Sequence, residues 1–155
     1  MSLQKIVSGG QTGVDRAALD AALEAGLDAG GWCPAGRLSE DGTIPEFYPV
    51  RETPKPEYEQ RTEWNVRDSD ATLILHEGSV VGGTAFTMEA ARRRGRPCIE
   101  VDLRANPPAE SVWRWLEAHR VKVLNVAGPR ESGCVGIHAR SLQFLRKLVA
   151  KAGTA

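Results

Sequence analysis

Three glycine-bearing turns constrain this chain more than any other feature of its sequence. They span residues 9–13, 82–84 and 128–133, and each lies between a short apolar run and a helical pattern. In an open parallel sheet, ligands bind at the carboxyl ends of the strands, where turns of this kind lie. Glycine lets the backbone approach a ligand, and the first N–H groups of the following helix favour an anion. We therefore expect a single crevice that binds a phosphate or another oxyanion.

The order of the apolar runs predicts the fold class. Runs of strand length alternate with helical patterns, which is typical of an α/β protein with a Rossmann-like, doubly wound parallel sheet. Residues 34–56 contain five prolines and little periodicity, so we expect a lid-like loop without regular structure there. We predict strands near residues 4–8, 28–33, 71–75, 98–101 and 122–126, and helices over residues 15–25, 56–67, 84–94, 111–119 and 135–150.

Composition and charge argue against several classes of partner. At 155 residues with 41% apolar residues, the chain is long enough for a single domain, residues 1–155, with a full core. The formal net charge is zero and no apolar stretch approaches the ~20 residues of a membrane span, so we expect no nucleic acid and no membrane as partners. The three cysteines form no CxxC pair, which favours reduced thiols, no metal site and a cytoplasmic location.

The first turn matches neither of two common nucleotide-binding motifs. Its glycines are misplaced for GxGxxG, and no Gly-Lys-Ser/Thr follows as in a P-loop. Thr12 and Asp15 have the spacing of a capping box, which leaves open whether Asp15 caps the helix or contacts a ligand. Gln11 has a side chain that can hydrogen-bond a ring edge. Arg16 lies at the positive end of the helix dipole, so it predicts an acidic partner, either a ligand or Asp20.

The second and third turns add further candidate donors. Thr84 is a candidate N-cap, and Thr87 is placed to point into the crevice from the same helix. Arg130 and Ser132 lie beside the start of a helix, an arrangement typical of an anion cradle. Cys134 follows them, and a helix N-terminus lowers the pKa of a thiol.

Candidate groups also lie outside the turns. Arg61 and Asn65, on the helix after the lid-like loop, have side chains that can reach the crevice. Trp113 and Trp115 are two positions apart, so they cannot share one face of their helix. We expect one of the two tryptophans to lie at a subunit contact or under the lid, which favours a homo-oligomer.

Several consecutive motifs resemble the molybdenum-cofactor carrier family. They are residues 8–17, 30–37, 40–45, 61–66, 68–72 and 125–132, and the resemblance covers most of the chain. It implies a small Rossmann-like protein, related to the LONELY GUY phosphoribohydrolases and to DNA-processing protein A. Such a protein is expected to bind the molybdenum cofactor (molybdopterin) or molybdate, generally as an oligomer, with molybdoenzymes as candidate partners.

The resemblance also implies a set of binding residues. The phosphate and pterin of the cofactor would meet Gln11, Thr12, Gly13, Gly82, Gly83, Thr84, Arg130 and Ser132. The reasoning from individual residues adds Gly10, Arg16, Arg61, Asn65 and Thr87 as binding candidates. In the family's middle turn a serine usually precedes the glycine pair, and here Val81 stands at that position, which removes one hydroxyl donor.

An enzyme is the alternative interpretation. The phosphoribohydrolases carry Pro-Gly-Gly-x-Gly-Thr-x-x-Glu, and here Gly82, Gly83 and Glu89 keep that spacing while Ala85 and Phe86 replace the Gly-Thr pair. Glu89 would then act on a ribosyl bond, but no second catalytic group accompanies it. A nucleotide-sensing module fits the turns equally well. We expect a carrier that binds an anion-bearing planar ligand without covalent chemistry.

Overall fold

The structure, a computed structural model, describes residues 3–154. In chain order, its strands and helices are β1 (Lys5–Val7), α1 (Val14–Ala25), β2 (Asp28–Gly30), β3 (Trp32–Cys33), β4 (Leu38–Ser39), β5 (Gly42–Thr43), β6 (Arg51–Glu52), α2 (Tyr58–Arg67), β7 (Ala71–His76), α3 (Gly82–Arg93), β8 (Cys98–Asp102), α4 (Ala109–Ala118), β9 (Val123–Ala127) and α5 (Ile137–Ala150).

Five strands form a parallel sheet in the order β2-β1-β9-β7-β8. The chain leaves β1 towards one edge of the sheet and leaves β7 towards the other, and β9 returns between them. The turns after β1, β9 and β7 are therefore neighbours at the carboxyl ends of the strands, where sheets of this topology bind ligands. The predicted Rossmann-like, doubly wound parallel sheet is confirmed.

Helices cover both faces of the sheet. On one face α1, α4 and α5 enclose the main apolar core, which includes Leu73, Leu124 and Val126 from the central strands. On the other face α2 and α3 pack through a smaller apolar cluster around Val66 and Ala90. The short side chains of α1 let this helix lie close to α5 and the sheet, because the following alanines are fully buried: Ala17, Ala18, Ala21 and Ala22.

The prediction of one strand over residues 28–33 is wrong. β2 ends at Gly30, and β3 leaves the main sheet to pair with β6 in a separate two-stranded sheet. The bend lies at Gly31, whose φ of 125° is rarely adopted by residues with a side chain. A Cβ atom there would lie 2.2 Å from the backbone oxygen of Ser8, so only glycine fits.

The expectation of a lid without regular structure is also wrong. Within residues 34–56, β4 and β5 form an antiparallel hairpin and β6 pairs with β3. An apolar cluster holds the segment on α1, where Leu19 packs with Cys33, Ile44, Tyr48 and Val50. The guanidinium of Arg37 donates hydrogen bonds to the backbone oxygens of Ile44, Pro45, Tyr48 and Val50. A half-buried arginine thus orders a stretch that has no sequence periodicity.

The helix starts differ from the predictions at two of the glycine turns. α3 begins at Gly82 with Val81 as its N-cap, so the expectation that Thr84 is the N-cap is wrong. The capping box of Thr12 and Asp15 does not form, because Gly13 is the N-cap of α1 and the Thr12 hydroxyl donates elsewhere. Within residues 3–154, no helix has the length and apolar character needed to cross a membrane.

Candidate functional site

A cavity of about 770 Å³ lies at the carboxyl ends of β1, β9 and β7. Its walls come from all three glycine turns, from α2 and from the β4–β5 hairpin. The volume is in the range of pockets that bind cofactors and other small molecules. Seven of the predicted binding residues line it: Gln11, Arg61, Gly82, Gly83, Thr84, Thr87 and Arg130.

The other six predicted binding residues do not line this cavity: Gly10, Thr12, Gly13, Arg16, Asn65 and Ser132. The buried amide of Asn65 accepts from the Trp32 N–H at 2.8 Å and donates to the Trp32 oxygen at 2.9 Å, so it fixes the start of β3. Thr12, Arg16 and Ser132 bond to the β4–β5 hairpin.

An ion pair between Arg61 and Asp15 lies at one end of the cavity. The Arg61 Nη1 atom lies 3.1 Å from the Asp15 Oδ2 atom, which also accepts from the Gln11 N–H at 3.2 Å. A Cβ atom at Gly9 would lie 1.6 Å from that Nη1 atom, so the glycine makes room for the guanidinium. Burial raises the pKa of the Asp15 carboxyl, and the charge of Arg61 opposes that rise. The buried Nε of Arg61 has no hydrogen-bond partner within residues 3–154.

The α3 N-terminus opens onto the same cavity. No side chain caps this helix, and Gly82 and Gly83 are both exposed on the cavity wall. The first N–H groups of an α-helix have no partner inside the helix and carry its positive dipole end. Tyr58 lies beside them, with its ring 5.8 Å from that of Phe86. The Thr87 hydroxyl donates to the Gly83 oxygen at 3.0 Å, so its proton is used within the helix.

The turns after β1 and β9 hold a carboxylate of the hairpin. Glu40 accepts hydrogen bonds from the Thr12 hydroxyl, the Ser132 hydroxyl and, at 3.2 Å, the Ser132 N–H. The Arg130 guanidinium lies 3.8 Å away. These hydrogen bonds, with Ser132 contributing most, hold the pKa of Glu40 below its usual range. Sequence reasoning missed Glu40, because its partners lie 28 and 92 positions away.

Arg16 has the acidic partner that its position in α1 demands, but that partner is Asp41. Its guanidinium donates to the Asp41 carboxylate at 2.6 and 3.0 Å and to the Gly10 oxygen at 3.0 Å. The contact holds the pKa of Asp41 well below its usual range. The alternative partner, Asp20, instead accepts from the Tyr48 hydroxyl and faces His138.

Three ionisable side chains lie on the β7 and β9 side of the cavity: His76, Glu77 and Cys134. Sequence reasoning missed the first two as cavity residues and expected a lowered pKa for the third. His76 lines the cavity and is 4% exposed, and neither ring nitrogen has a hydrogen-bond partner within residues 3–154. The Cys134 thiol lies 3.3 Å from Glu77, and burial and this carboxylate raise its pKa. The expectation of a lowered thiol pKa is therefore wrong.

Among the described residues, no group of three or more His, Cys, Asp or Glu side chains is arranged to hold a metal ion.

Glu89, the catalytic group of the enzyme alternative, does not line the cavity. Its side chain is 46% exposed on α3 and pairs with Arg92. The spacing of the phosphoribohydrolase motif is thus present, but its acid lies on another face of the helix.

These features define a Rossmann-like domain with a cavity lined by three glycine turns. The chain belongs to the circularly permutated YpsA SLOG family, whose profile matches residues 6–149. It is also similar to the crystal structure of a provisionally named molybdenum carrier protein from Syntrophus aciditrophicus, with 41% sequence identity, 96% of each chain covered and a TM-score of 0.90. No curated protein matches the chain. The suspected family relationship is confirmed.

Proposed function

We propose that this protein binds a planar ligand that carries an anionic group, such as the molybdenum cofactor or a molybdenum oxyanion, and carries it without covalent chemistry. The observation that supports this most is the meeting of the Arg61 guanidinium and the uncapped α3 N-terminus at one cavity. The name of the Syntrophus aciditrophicus protein favours molybdenum as the element involved.

The cavity lining contains two arginines and four carboxylates, so we expect the anion only where Arg61 and the start of α3 supply positive charge. Arg61 is 15% exposed at its side chain, and one carboxylate, Asp15, opposes its charge. The dipole of α3 adds a further positive potential at Gly82 and Gly83. A phosphate or molybdenum oxyanion between these groups would receive charge-assisted hydrogen bonds, which are about twice as strong as neutral ones.

Apolar side chains beside these donors suit the flat part of such a ligand. Leu38, Tyr58 and Val81 line the cavity and are 49%, 40% and 68% exposed. Exposed apolar groups next to convergent donors are typical of pockets for ring-bearing ligands. The pterin of the molybdenum cofactor combines a ring system with a phosphate, and it matches both parts of the cavity.

The carrier role is tested by titrating the protein side by side with molybdopterin, molybdate and AMP in a calorimeter. We expect molybdopterin or molybdate to bind, and Arg61→Lys to weaken the binding because lysine cannot donate in Arg61's forked geometry. Release of ribose 5-phosphate from AMP by the purified protein would contradict the proposal and favour the phosphoribohydrolase alternative.

The proposal also includes assembly and location: the protein forms a homo-oligomer in the cytoplasm, and molybdoenzymes are its partners. Trp113 is buried in the core, whereas Trp115 is only partly buried and contacts His119 with tilted rings, 4.5 Å between centroids. Trp115 is therefore the better candidate for the expected subunit contact. Light scattering at micromolar concentration tests this subunit contact, because a strict monomer would contradict it.

A further inference from the structure

The turns after β1 and β9 already hold an anionic group, and it belongs to the chain itself. The Glu40 carboxylate is bound by two hydroxyls, one backbone N–H and a nearby guanidinium, from Thr12, Ser132 and Arg130. Hydroxyls, backbone N–H groups and arginine are the donors with which proteins bind phosphate and similar oxyanions. Glu40 also lines the cavity, so its carboxylate lies where a cavity ligand can reach the same donors.

We propose that Thr12, Ser132 and Arg130 form an oxyanion subsite, which Glu40 occupies in the free protein and leaves when a tetrahedral oxyanion binds. The inference rests on the proposed function and divides that site in two. The first part, at Arg61 and the α3 N-terminus, is open in the free protein. The second part opens only when the β4–β5 hairpin moves.

The exchange is chemically favourable because the ligand has more to offer these donors than Glu40 has. A carboxylate has one negative charge and two acceptor oxygens, whereas a tetrahedral dianion has two charges and up to four oxygens. The lowered pKa of Glu40 indicates that the donors stabilise negative charge at this point. A doubly charged oxyanion therefore gains more from them than the side chain that it replaces.

The hairpin is built in a way that permits its release. Both strands are two residues long, and their residues are exposed or half-buried. Besides Glu40, its anchors are the hydrogen bond of 2.7 Å from the Gln11 amide to the Leu38 oxygen and the bonds of the Arg16 guanidinium to Asp41 and, at 3.0 Å, to the Ser39 hydroxyl. All of these contacts are polar, and none of residues 38–43 is buried, so release of the hairpin removes no residue of that stretch from the apolar core.

Competition by Glu40 gives the proposal a signature that an ordinary binding residue lacks. The apparent association constant for a ligand is the intrinsic constant multiplied by the fraction of molecules whose site is open. Glu40→Gln keeps the size of the side chain and removes its charge, so the closed fraction falls and the oxyanion binds more tightly. A residue that merely latched the lid over the ligand would have the opposite effect.

The test is a calorimetric titration of wild type and variants with sodium molybdate, phosphate and sulfate. We expect Glu40→Gln to bind the preferred oxyanion about tenfold more tightly than wild type, the value of one charge-assisted hydrogen bond. Glu46→Gln is the matched control, because Glu46 is exposed on the same segment and has no hydrogen bond or ion pair within residues 3–154. Adding Ser132→Ala to Glu40→Gln should abolish the gain.

Equal or weaker binding by Glu40→Gln would overturn the inference, and so would the absence of oxyanion binding by both proteins. Amide exchange in wild type needs no variant. The N–H groups of residues 38–43, where Leu38 pairs with Thr43 and Ser39 with Gly42, should exchange faster with oxyanion bound. Unchanged or slower exchange contradicts release. If molybdopterin or molybdate binds both proteins equally, the inference alone is wrong. If neither ligand binds either protein, the proposed function is wrong.

Discussion

At the turn after β7, the backbone of Gly82 and Gly83 opens onto the cavity, whereas at the turns after β1 and β9 the donors are bonded to the β4–β5 hairpin. We call the first the open turn and the other two the occupied turns. All three have glycines, hydroxyls and a following helix. The difference teaches that a glycine turn supplies donors, and that another segment of the chain decides whether a ligand can use them.

The largest effect is expected at Arg61, which lies beside Gly9 of the turn after β1 and pairs with the buried Asp15. Arg61→Ala leaves the Asp15 carboxylate buried without its partner, and breaking such a pair costs about 3 kcal/mol of the free energy of unfolding. The loss should be measured by urea unfolding near neutral pH. Replacing Asp15 as well, in Arg61→Ala with Asp15→Asn, should recover much of it.

The pH dependence of the stability of Arg61→Ala tests whether the unpaired Asp15 charge causes the loss. The folded pKa of Asp15 is already raised by burial, and removing Arg61 raises it further. A raised carboxyl pKa means that the fold prefers the protonated form, so the stability of Arg61→Ala should rise as the pH falls through the folded pKa. A deficit that stays constant from pH 7 to pH 4 would show that the lost packing of Arg61, and not the Asp15 charge, causes it.

A side chain at the open turn should block the ligand while leaving the fold intact. A Cβ atom at Gly83 would lie 3.8 Å from the Tyr58 ring, which is an ordinary contact. We expect Gly83→Val to weaken ligand binding roughly a hundredfold, equal to about 2.7 kcal/mol, because the branched side chain covers the α3 N–H groups. Thermal unfolding checks the fold. Retained affinity would mean that the ligand does not use the open turn.

At the occupied turns, removing a donor should have a smaller effect. Arg130→Ala should weaken binding of an anionic ligand ten- to a hundredfold, since a charge-assisted hydrogen bond contributes roughly 1.5–3 kcal/mol. The lower end is expected, because the Arg130 side chain is 61% exposed and is screened by solvent. Titration at two salt concentrations measures it. If Arg130→Ala lost more affinity than Gly83→Val, the occupied turns would contribute more to binding than the open turn.

No effect is expected at Glu89, which lies outside both kinds of turn. Glu89→Gln should leave the affinity for molybdopterin unchanged, since its side chain pairs with Arg92 on the exposed face of α3. The same titration supplies the measurement. A Glu89→Gln variant that lost turnover on AMP, with wild type active, would favour the ribohydrolase alternative instead.

The topology was predictable from the sequence because it depends on local signals. Apolar runs such as residues 71–75 and glycine turns mark strand ends wherever the strands finally lie, so the parallel sheet and its ligand edge could be inferred. The bend at Gly31 could not, because the reason for glycine there is the approach of the Ser8 backbone, more than 20 positions away.

For the binding candidates, the sequence predicted which residue types can bind a ligand but not which partners they have in the fold. Arg61 and Arg130 were recognised as cations that can reach the cavity, and both line it. Their partners Asp15 and Glu40 were not recognised as such, because an ion pair between distant positions leaves no periodicity in the sequence. His76 was passed over for a related reason: a lone histidine at the end of an apolar strand has no neighbouring motif that would indicate a cavity.

The Arg37 anchor described in the fold has a consequence for how fast the protein can respond to a ligand. Because its guanidinium ties down the backbone between Ile44 and Val50, only residues 38–43 need to change conformation for Glu40 to leave its donors. Arg37 itself has a left-handed backbone, with a φ of 53°, and forms a natural pivot at one end of that stretch. Rearrangements of such short surface segments take nanoseconds to microseconds. Diffusion of the ligand, rather than lid motion, should then limit the rate of loading.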